Sequence, residues 1–295
     1  MILAVNTALM VKFNNNCKLS KDKHMTMTEE QSTIEFPKIL VGKKALVSGV
    51  ANKRSIAWGI AQALHSAGAE IIFSYQNERL KPEVQKALEG SIENPKLVEL
   101  DVGNDESLDS AFESVAKTFE GSLDILVHCL AFAPRETLQG GYVDTLREHY
   151  SLAQDISSYS LAAMARKARP LMQSAGGGSI ITLSYLGAEK VVPNYNMMGI
   201  AKAALEAGTR YLAADLGVDN IRVNAISAGP VKTLAARGIS DFTKMLNKHA
   251  EVAPLKRNVQ VEEIGGTALF LASPLSGGIT GEVLHVDCGY SIMAM

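Results

Sequence analysis

Tyr195 and Lys202 stand seven residues apart within the stretch Ser184 to Lys202, S-Y-L-G-A-E-K-V-V-P-N-Y-N-M-M-G-I-A-K. On a helix that separation is about two turns at ~3.6 residues per turn, so phenol and ammonium share one face. An ammonium beside a phenol favours phenolate and makes the hydroxyl a better donor to a developing oxyanion. Tyr185, at the end of an apolar run, can aim a second hydroxyl into the same space. A plainer arrangement uses the same residues. Lys202 pairs with Glu206 and Glu206 with Arg210 along the helix, while both tyrosines pack at a sheet edge.

Positioning these groups requires a strand and a helix, and the chain supplies both. Ser179 to Leu183 is a buried-strand run. Pro193 and Asn194 predict a helix start, with Asn as the cap, and Gly217 predicts its stop after Leu216. The same alternation runs through the chain from Lys44 onward. Ala45–Ser48, Ile71–Tyr75, Leu97–Leu100, Leu123–His128, Ile180–Leu183, Ile221–Ile226 and Val283–Val286 read as strands with helical segments between them. Near-continuous apolar strands alternating with helices predict an α/β fold, a single doubly wound, Rossmann-like domain on a seven-stranded parallel sheet.

In that class ligands sit beyond the carboxyl ends of the strands. After the first strand, Gly49 permits a tight turn, and Ser55 caps a helix and can offer its hydroxyl and N–H to a phosphate; Gly59 allows helix-to-strand contact. An ordinary glycine-containing turn fits this segment equally well, since it is not G-x-G-x-x-G. After the second strand, Gln76 is neither the acid that favours NAD nor the base that favours NADP, and without an Arg at that position NADH is the better fit. Arg79 and Lys81 keep NADPH open. Asp101 and Val102 follow the third strand and can contact an adenine, or Asp101 can simply start the next helix.

His128 to Pro134 follows the fourth strand, with small residues that admit a ribose or nicotinamide; His128 reads as a packed strand-end residue and Cys129 as an inert buried thiol. Asp155-Ile156-Ser157-Ser158-Tyr159-Ser160 reads as helix packing. After the sixth strand, Val231 and Thr233 offer backbone N–H groups and a hydroxyl suited to a carboxamide. Leu234 to Glu251, with Phe242 and Met245, reads as a mobile lid over an apolar substrate, an ordinary surface helix pair being the alternative.

Bulk composition narrows the class. The chain has 295 residues, 47% hydrophobic and 20% charged, which suits one large α/β domain. A formal net charge of −2 gives no basic field for nucleic acid or an anionic membrane. Three cysteines without C-x-x-C spacing and six scattered histidines predict neither disulfides nor metal, and a reducing cytoplasm. Residues 1–40 read as a disordered extension, with Met25 or Met27 as possible starts and residues 41–295 as the domain. No secretory or membrane segment is recognisable there.

Taken together, G-V-A-N-K-R-S-I-A-W-G-I-A, Y-Q-N-E-R-L, F-A-P, D-I-S-S-Y-S, T-L-S-Y-L-G-A-E, P-N-Y-N-M-M-G-I-A-K-A-A-L-E, R-V-N-A-I-S-A-G-P and H-V-D-C-G-Y resemble the bacterial-type, NADH-dependent enoyl-acyl-carrier-protein reductases of type II fatty-acid synthesis. The resemblance covers the chain from about Val41 to its end. It places the chain in a divergent branch of the short-chain dehydrogenases, whose carbonyl reductases carry a shorter Tyr-to-Lys spacing and an Asn-Asn-Ala-Gly after the fourth strand. It implies Tyr195, Lys202 and the additional Tyr185 as catalytic residues. Cofactor contacts are implied at Gly49, Ser55, Ile56, Gln76, Asp101, Val102, Leu130, Lys202, Val231 and Thr233, and substrate contacts at Ala133, Tyr185, Tyr195, Met198 and Phe242. It further implies an enoyl-acyl-carrier protein as partner, an inhibitor-accessible site and a homotetramer. Cys129 and Cys288 depart from the family, which frequently has Ser, and Gly or Ser, there. The alternatives are a 3-oxoacyl (carbonyl) reductase and a non-catalytic NADH-binding sensor, the latter opposed by the presence of all three chemical residues.

Overall fold

The computed structural model describes residues 37–233 and 242–294, the Phe242 side chain excepted. The anticipated unstructured extension lies, up to residue 36, outside the described residues. At its anticipated edge, Leu40 is fully buried and its N–H donates to Ala67 O at 2.9 Å.

All seven predicted strands form: β1 (Lys44–Val47), β2 (Glu70–Tyr75), β3 (Lys96–Glu99), β4 (Ile125–His128), β5 (Gly178–Ser184), β6 (Ile221–Ala228) and β7 (Val283–Val286). They make one parallel sheet in the order β3-β2-β1-β4-β5-β6-β7. Strand order reverses between β1 and β4, which opens a crevice at their carboxyl ends.

Eight helices connect them among the described residues: α1 (Ile56–Ser66), α2 (Lys81–Leu88), α3 (Asp105–Thr118), α4 (Arg147–Gln154), α5 (Ser160–Ser174), α6 (Asn196–Leu216), α7 (Phe242–Val252) and α8 (Val261–Ala272). Alternate residues of each strand feed opposite faces, as the pleat requires. Ala45 and Val47 join the core beneath α1, α2 and α8, whereas Leu46 joins the core beneath α3, α5 and α6. Gly59 of α1 and Gly265 of α8 let their helices touch; a Cβ on Gly59 would lie 2.6 Å from Val261 O and one on Gly265 2.5 Å from Gly59 O.

Two local features differ from the sequence reading. Asn194 has φ +64°, so it turns the chain in the left-handed region and does not cap; Tyr195 occupies the cap position of α6 without a side-chain cap bond. Asp155–Tyr159, read as plain helix packing, is a π-helical turn between α4 and α5. Such turns add a residue to the helix and are frequent beside functional sites.

Candidate active site

Strand ends bring the chemical residues together because β5 runs straight into them. The strand closes with Leu183 and Ser184, Tyr185 follows, a short 3-10 turn at Leu186–Ala188 reverses the chain, and α6 begins just after Tyr195. The Tyr185 and Tyr195 rings meet edge to face, with centroids 4.9 Å apart and planes at 71°. Tyr195 also packs with Ala133, Met197 and Met198 in a small apolar cluster separate from the two main cores. Four of the five predicted substrate contacts therefore converge: Ala133, Met198, Tyr185 and Tyr195.

Lys202 is buried, and its Nζ donates to Leu183 O at 2.6 Å. The plainer arrangement, a Lys202 to Glu206 ion pair along the helix, does not form; Glu206 Oε1 instead accepts from Ser184 Oγ. Burial lowers Lys202 to about 8, with the nearby Cys129 and Glu206 opposing that fall.

Burial also raises the Tyr195 hydroxyl well above its ordinary value, with the neighbouring Tyr185 adding to the rise. Desolvation wins over any help from the ammonium. The expected bias toward phenolate is thus corrected: Tyr195 is a neutral hydroxyl, suited to donating a hydrogen bond. Tyr185 is likewise pushed up to about 12, chiefly by burial and secondarily by Tyr290, and its hydroxyl lies 3.5 Å from Met245 Sδ. A cavity of about 580 Å³ opens beside it, lined by Tyr185, Val192, Pro193, Met245 and Tyr290.

The predicted cofactor residues line the sheet's carboxyl edge. Gly49 has φ +85°, and a Cβ there would sit 2.1 Å from Cys129 O, so the β1 turn and the β4 loop close on each other only through glycine. Ser55 caps α1, accepting from Trp58 N at 3.3 Å while its own hydroxyl donates to Asn52 O at 2.8 Å. Ile56 and Val231 pack with Cys129 against one core, and Val102 and Leu130 belong to the other. Gln76 is exposed directly after β2, and Asp101 Oδ1 accepts from Gly103 N at 3.1 Å. Thr233 N–H donates to Val231 O at 2.7 Å.

Lys81 is engaged by Glu78 at 3.0 Å and lies over the Tyr75 ring at 5.1 Å. Gln76 itself, directly after β2, brings neither an acid nor a base to a ribose there. Small residues at the switch point and the capped N-terminus of α1 complete a surface that fits a dinucleotide.

Several supports were not legible in the sequence. Ser157, in the π-helical turn, bonds both the N–H and the carbonyl of Phe132 at 2.8 Å, fixing the loop that carries Leu130 and Ala133. His128 is fully buried; Nε2 lies 2.8 Å from Ser160 Oγ and Nδ1 2.9 Å from Thr182 Oγ1. Ser160 Oγ donates to Ile156 O at 2.7 Å, so the imidazole is protonated at Nε2 and accepts at Nδ1. Cys129, expected to be buried, is half-buried; desolvation pushes its thiol up to about 12 against the opposing pull of Lys202, which disfavours the thiolate. Of the anticipated lid, 234–241 and the Phe242 side chain lie outside the described residues; α7 packs through Met245 on Tyr185 and through His249, whose ring stacks on Tyr290 at 4.2 Å. Among the described residues no cluster of three or more His, Cys, Asp or Glu can hold a metal, and no helix is long and apolar enough to cross a membrane.

Comparison with known proteins finds relatives over most of the chain. Residues 49–291 match the family model described as enoyl-(acyl carrier protein) reductase. The enoyl-[acyl-carrier-protein] reductase [NADH] FabI of Bacillus subtilis is 53% identical over 257 residues, 86% of this chain and 98% of that protein. Its counterpart from Synechocystis is 54% identical over 260 residues, 87% of this chain and 99% of that protein. Among solved structures, the reductase from Anaplasma phagocytophilum in complex with NAD superposes with a TM-score of 0.84 at 49% identity, covering 89% of this chain and 99% of that one.

Proposed function

The chain belongs to the enoyl-(acyl carrier protein) reductase family, and from that premise we propose that Tyr195, Tyr185 and Lys202 carry the reduction of a trans-2-enoyl thioester. The activity is that of an NADH-dependent enoyl-acyl-carrier-protein reductase, an oxidoreductase of fatty-acid synthesis. NADH, when bound, supplies the hydride that adds to the β-carbon. The electron pair of the double bond then moves onto the thioester oxygen as an enolate. Tyr195, neutral and held against Tyr185, donates a hydrogen bond to that oxygen at the moment its charge develops. Protonation at the α-carbon completes the saturated thioester.

The observation that carries this reading is the edge-to-face Tyr185–Tyr195 pair over the Ala133 and Met198 cluster, one helix face from a buried lysine. Two neutral hydroxyls, Tyr185 and Tyr195, beside the Ala133 and Met198 cluster suit an acyl thioester better than a hydrophilic alcohol. Lys202 serves the ribose hydroxyls and holds positive charge beneath the reacting centre. Gly49, Ser55, Ile56, Gln76, Asp101, Val102, Leu130, Val231 and Thr233 form the dinucleotide surface, and Phe242 belongs to the lid. The related Bacillus cereus structure is a complex with NADP+ and indole naphthyridinone, which supports a site open to small-molecule inhibitors.

The working form is a cytoplasmic homotetramer. Tyr142, Val143 and Leu146 before α4, Tyr150 and Leu152 on it and Tyr159 in the π-helical turn are exposed apolar side chains, of the kind a second copy covers. Mixing the protein, NADH or NADPH and a short trans-2-enoyl thioester should consume nicotinamide absorbance with NADH. A 3-oxoacyl thioester should not. Turnover confined to the 3-oxoacyl substrate would make the chain a carbonyl reductase, and NADH binding without turnover a sensor.

A further inference from the structure

Glu206 lies one helical turn beyond Lys202 and, unlike the exposed Arg210 a turn further on, points inward: it is 7% exposed, beside Lys202 at 6% and Ser184 at 5%. Two successive residues of β5 are thereby tied to two successive turns of α6. Leu183 O accepts from Lys202 Nζ, and Ser184 Oγ donates to Glu206 Oε1. Ser184 is the residue directly before Tyr185. A buried ammonium facing only a carbonyl dipole sheds its proton readily, because desolvation penalises the charged form. Glu206 is the carboxylate placed to oppose that, and Ser184 supplies the hydrogen bond that stabilises the carboxylate as an anion.

We propose that Glu206 is a positioning residue that holds Lys202 as an ammonium and, through Ser184, fixes the strand end from which Tyr185 projects. This rests on the assignment of Lys202 to the nicotinamide ribose. The surroundings are consistent with it. The Glu206 carboxyl is raised on balance, by burial first and by Glu189 beyond β5, while the Ser184 hydrogen bond, His285 of β7 and Arg210 of α6 oppose the rise and favour the anion. Glu189 is itself bonded to His285 Nε2 at 2.8 Å, so the remaining acid of the cluster has a partner of its own. Lys202 is lowered to about 8 by burial, with Cys129 and then Glu206 opposing the fall; Cys129, pushed up to about 12, is a neutral thiol there, and His128 of β4, lowered to about 3, is a neutral imidazole, so Glu206 is the charged group among these that acts on the ammonium.

The test is the NADH dissociation constant, read from NADH fluorescence between pH 6 and 9.5, for the wild type, Glu206→Gln, Glu206→Asp, Ser184→Ala and Lys202→Met. Wild-type affinity should fall as pH rises through about 8. Glu206→Gln should begin the same fall roughly one pH unit lower, Ser184→Ala should move it in the same direction by less, and Glu206→Asp should restore the wild-type midpoint. A Glu206→Gln midpoint that coincides with wild type in a protein of unchanged melting behaviour overturns the proposal. Should Glu206→Gln not accumulate as folded protein, an unmoved midpoint in Ser184→Ala does the same. Lys202→Met reports separately on the underlying assignment: NADH binding as tight as wild type there removes Lys202 from the cofactor site, whereas weakened binding beside an unmoved Glu206→Gln midpoint removes Glu206 alone.

Discussion

At the scale of single residues, the catalytic argument turns on a hydroxyl that keeps its proton. Tyr195 is half-buried against Tyr185, and desolvation holds its proton more tightly than in an exposed tyrosine. A donor of this kind contributes most where charge appears only in the transition state, typically about 3 to 4 kcal/mol for one oxyanion donor. Tyr195→Phe keeps the ring, and so the packing on Met198 and Tyr185, while deleting the donor. Turnover of the enoyl thioester should fall by roughly two to three orders of magnitude, with the NADH dissociation constant unchanged. Steady-state kinetics with a fluorescence titration checks both halves, and a variant that keeps most of its turnover removes Tyr195 from the chemistry. The seven-residue spacing made the shared helix face legible, whereas the roles of Tyr195 and Lys202 came from the family resemblance. What the lysine faces was not legible: the i,i+4 pattern offered Glu206 as its partner, and only the strand's position gave it Leu183 O instead.

At the scale of elements, the β5 to α6 connection works through two glycines, Gly187 and Gly199. A Cβ on Gly187 would lie 2.4 Å from Tyr195 Cδ1 and 3.4 Å from Tyr185 Cδ1, and one on Gly199 would lie 2.7 Å from Gly187 O. The 3-10 turn can therefore press directly against the ring of Tyr195 only while residue 187 lacks a side chain. Gly187→Ala should displace that ring, and a displacement near 1 Å costs about a hundredfold in rate. The expected result is a fall of about ten- to a hundredfold in kcat with helical circular dichroism and NADH affinity preserved; unchanged kcat would mean the turn moves and the ring stays. The strands were readable because a parallel sheet covered on both faces demands continuous apolar runs. The π-helical turn at Asp155–Tyr159 was not, since one extra residue in a helix leaves no periodic trace, yet Ser157 within it anchors the Phe132 backbone.

At the scale of the whole molecule, folding around the sheet buries two imidazoles that acid must charge. His128, locked between Thr182 and Ser160, is lowered to about 3 by burial first and by Lys202 second. His249, at the far end of α7, is 3% exposed; burial lowers it, against opposition from Asp287 and then from the Asn258 side chain. A histidine in the unfolded chain titrates near 6.5, so below that pH the unfolded state binds protons that the folded state refuses. Stability present above about 6.5 is accordingly lost as pH falls, and for His128 the loss accrues at about 1.4 kcal/mol per pH unit down to its folded value. His249 allows the effect to be isolated, because His249→Phe keeps a ring stacked on Tyr290 and removes the proton site. Urea unfolding at pH 7.5, 6.5, 5.5 and 4.5 should show the variant losing less stability on acidification than wild type, with the two diverging below about 6.5. Parallel losses would mean that His249 is as readily protonated in the fold as in the open chain, and that α7 stays docked on Tyr290 in acid with its histidine charged.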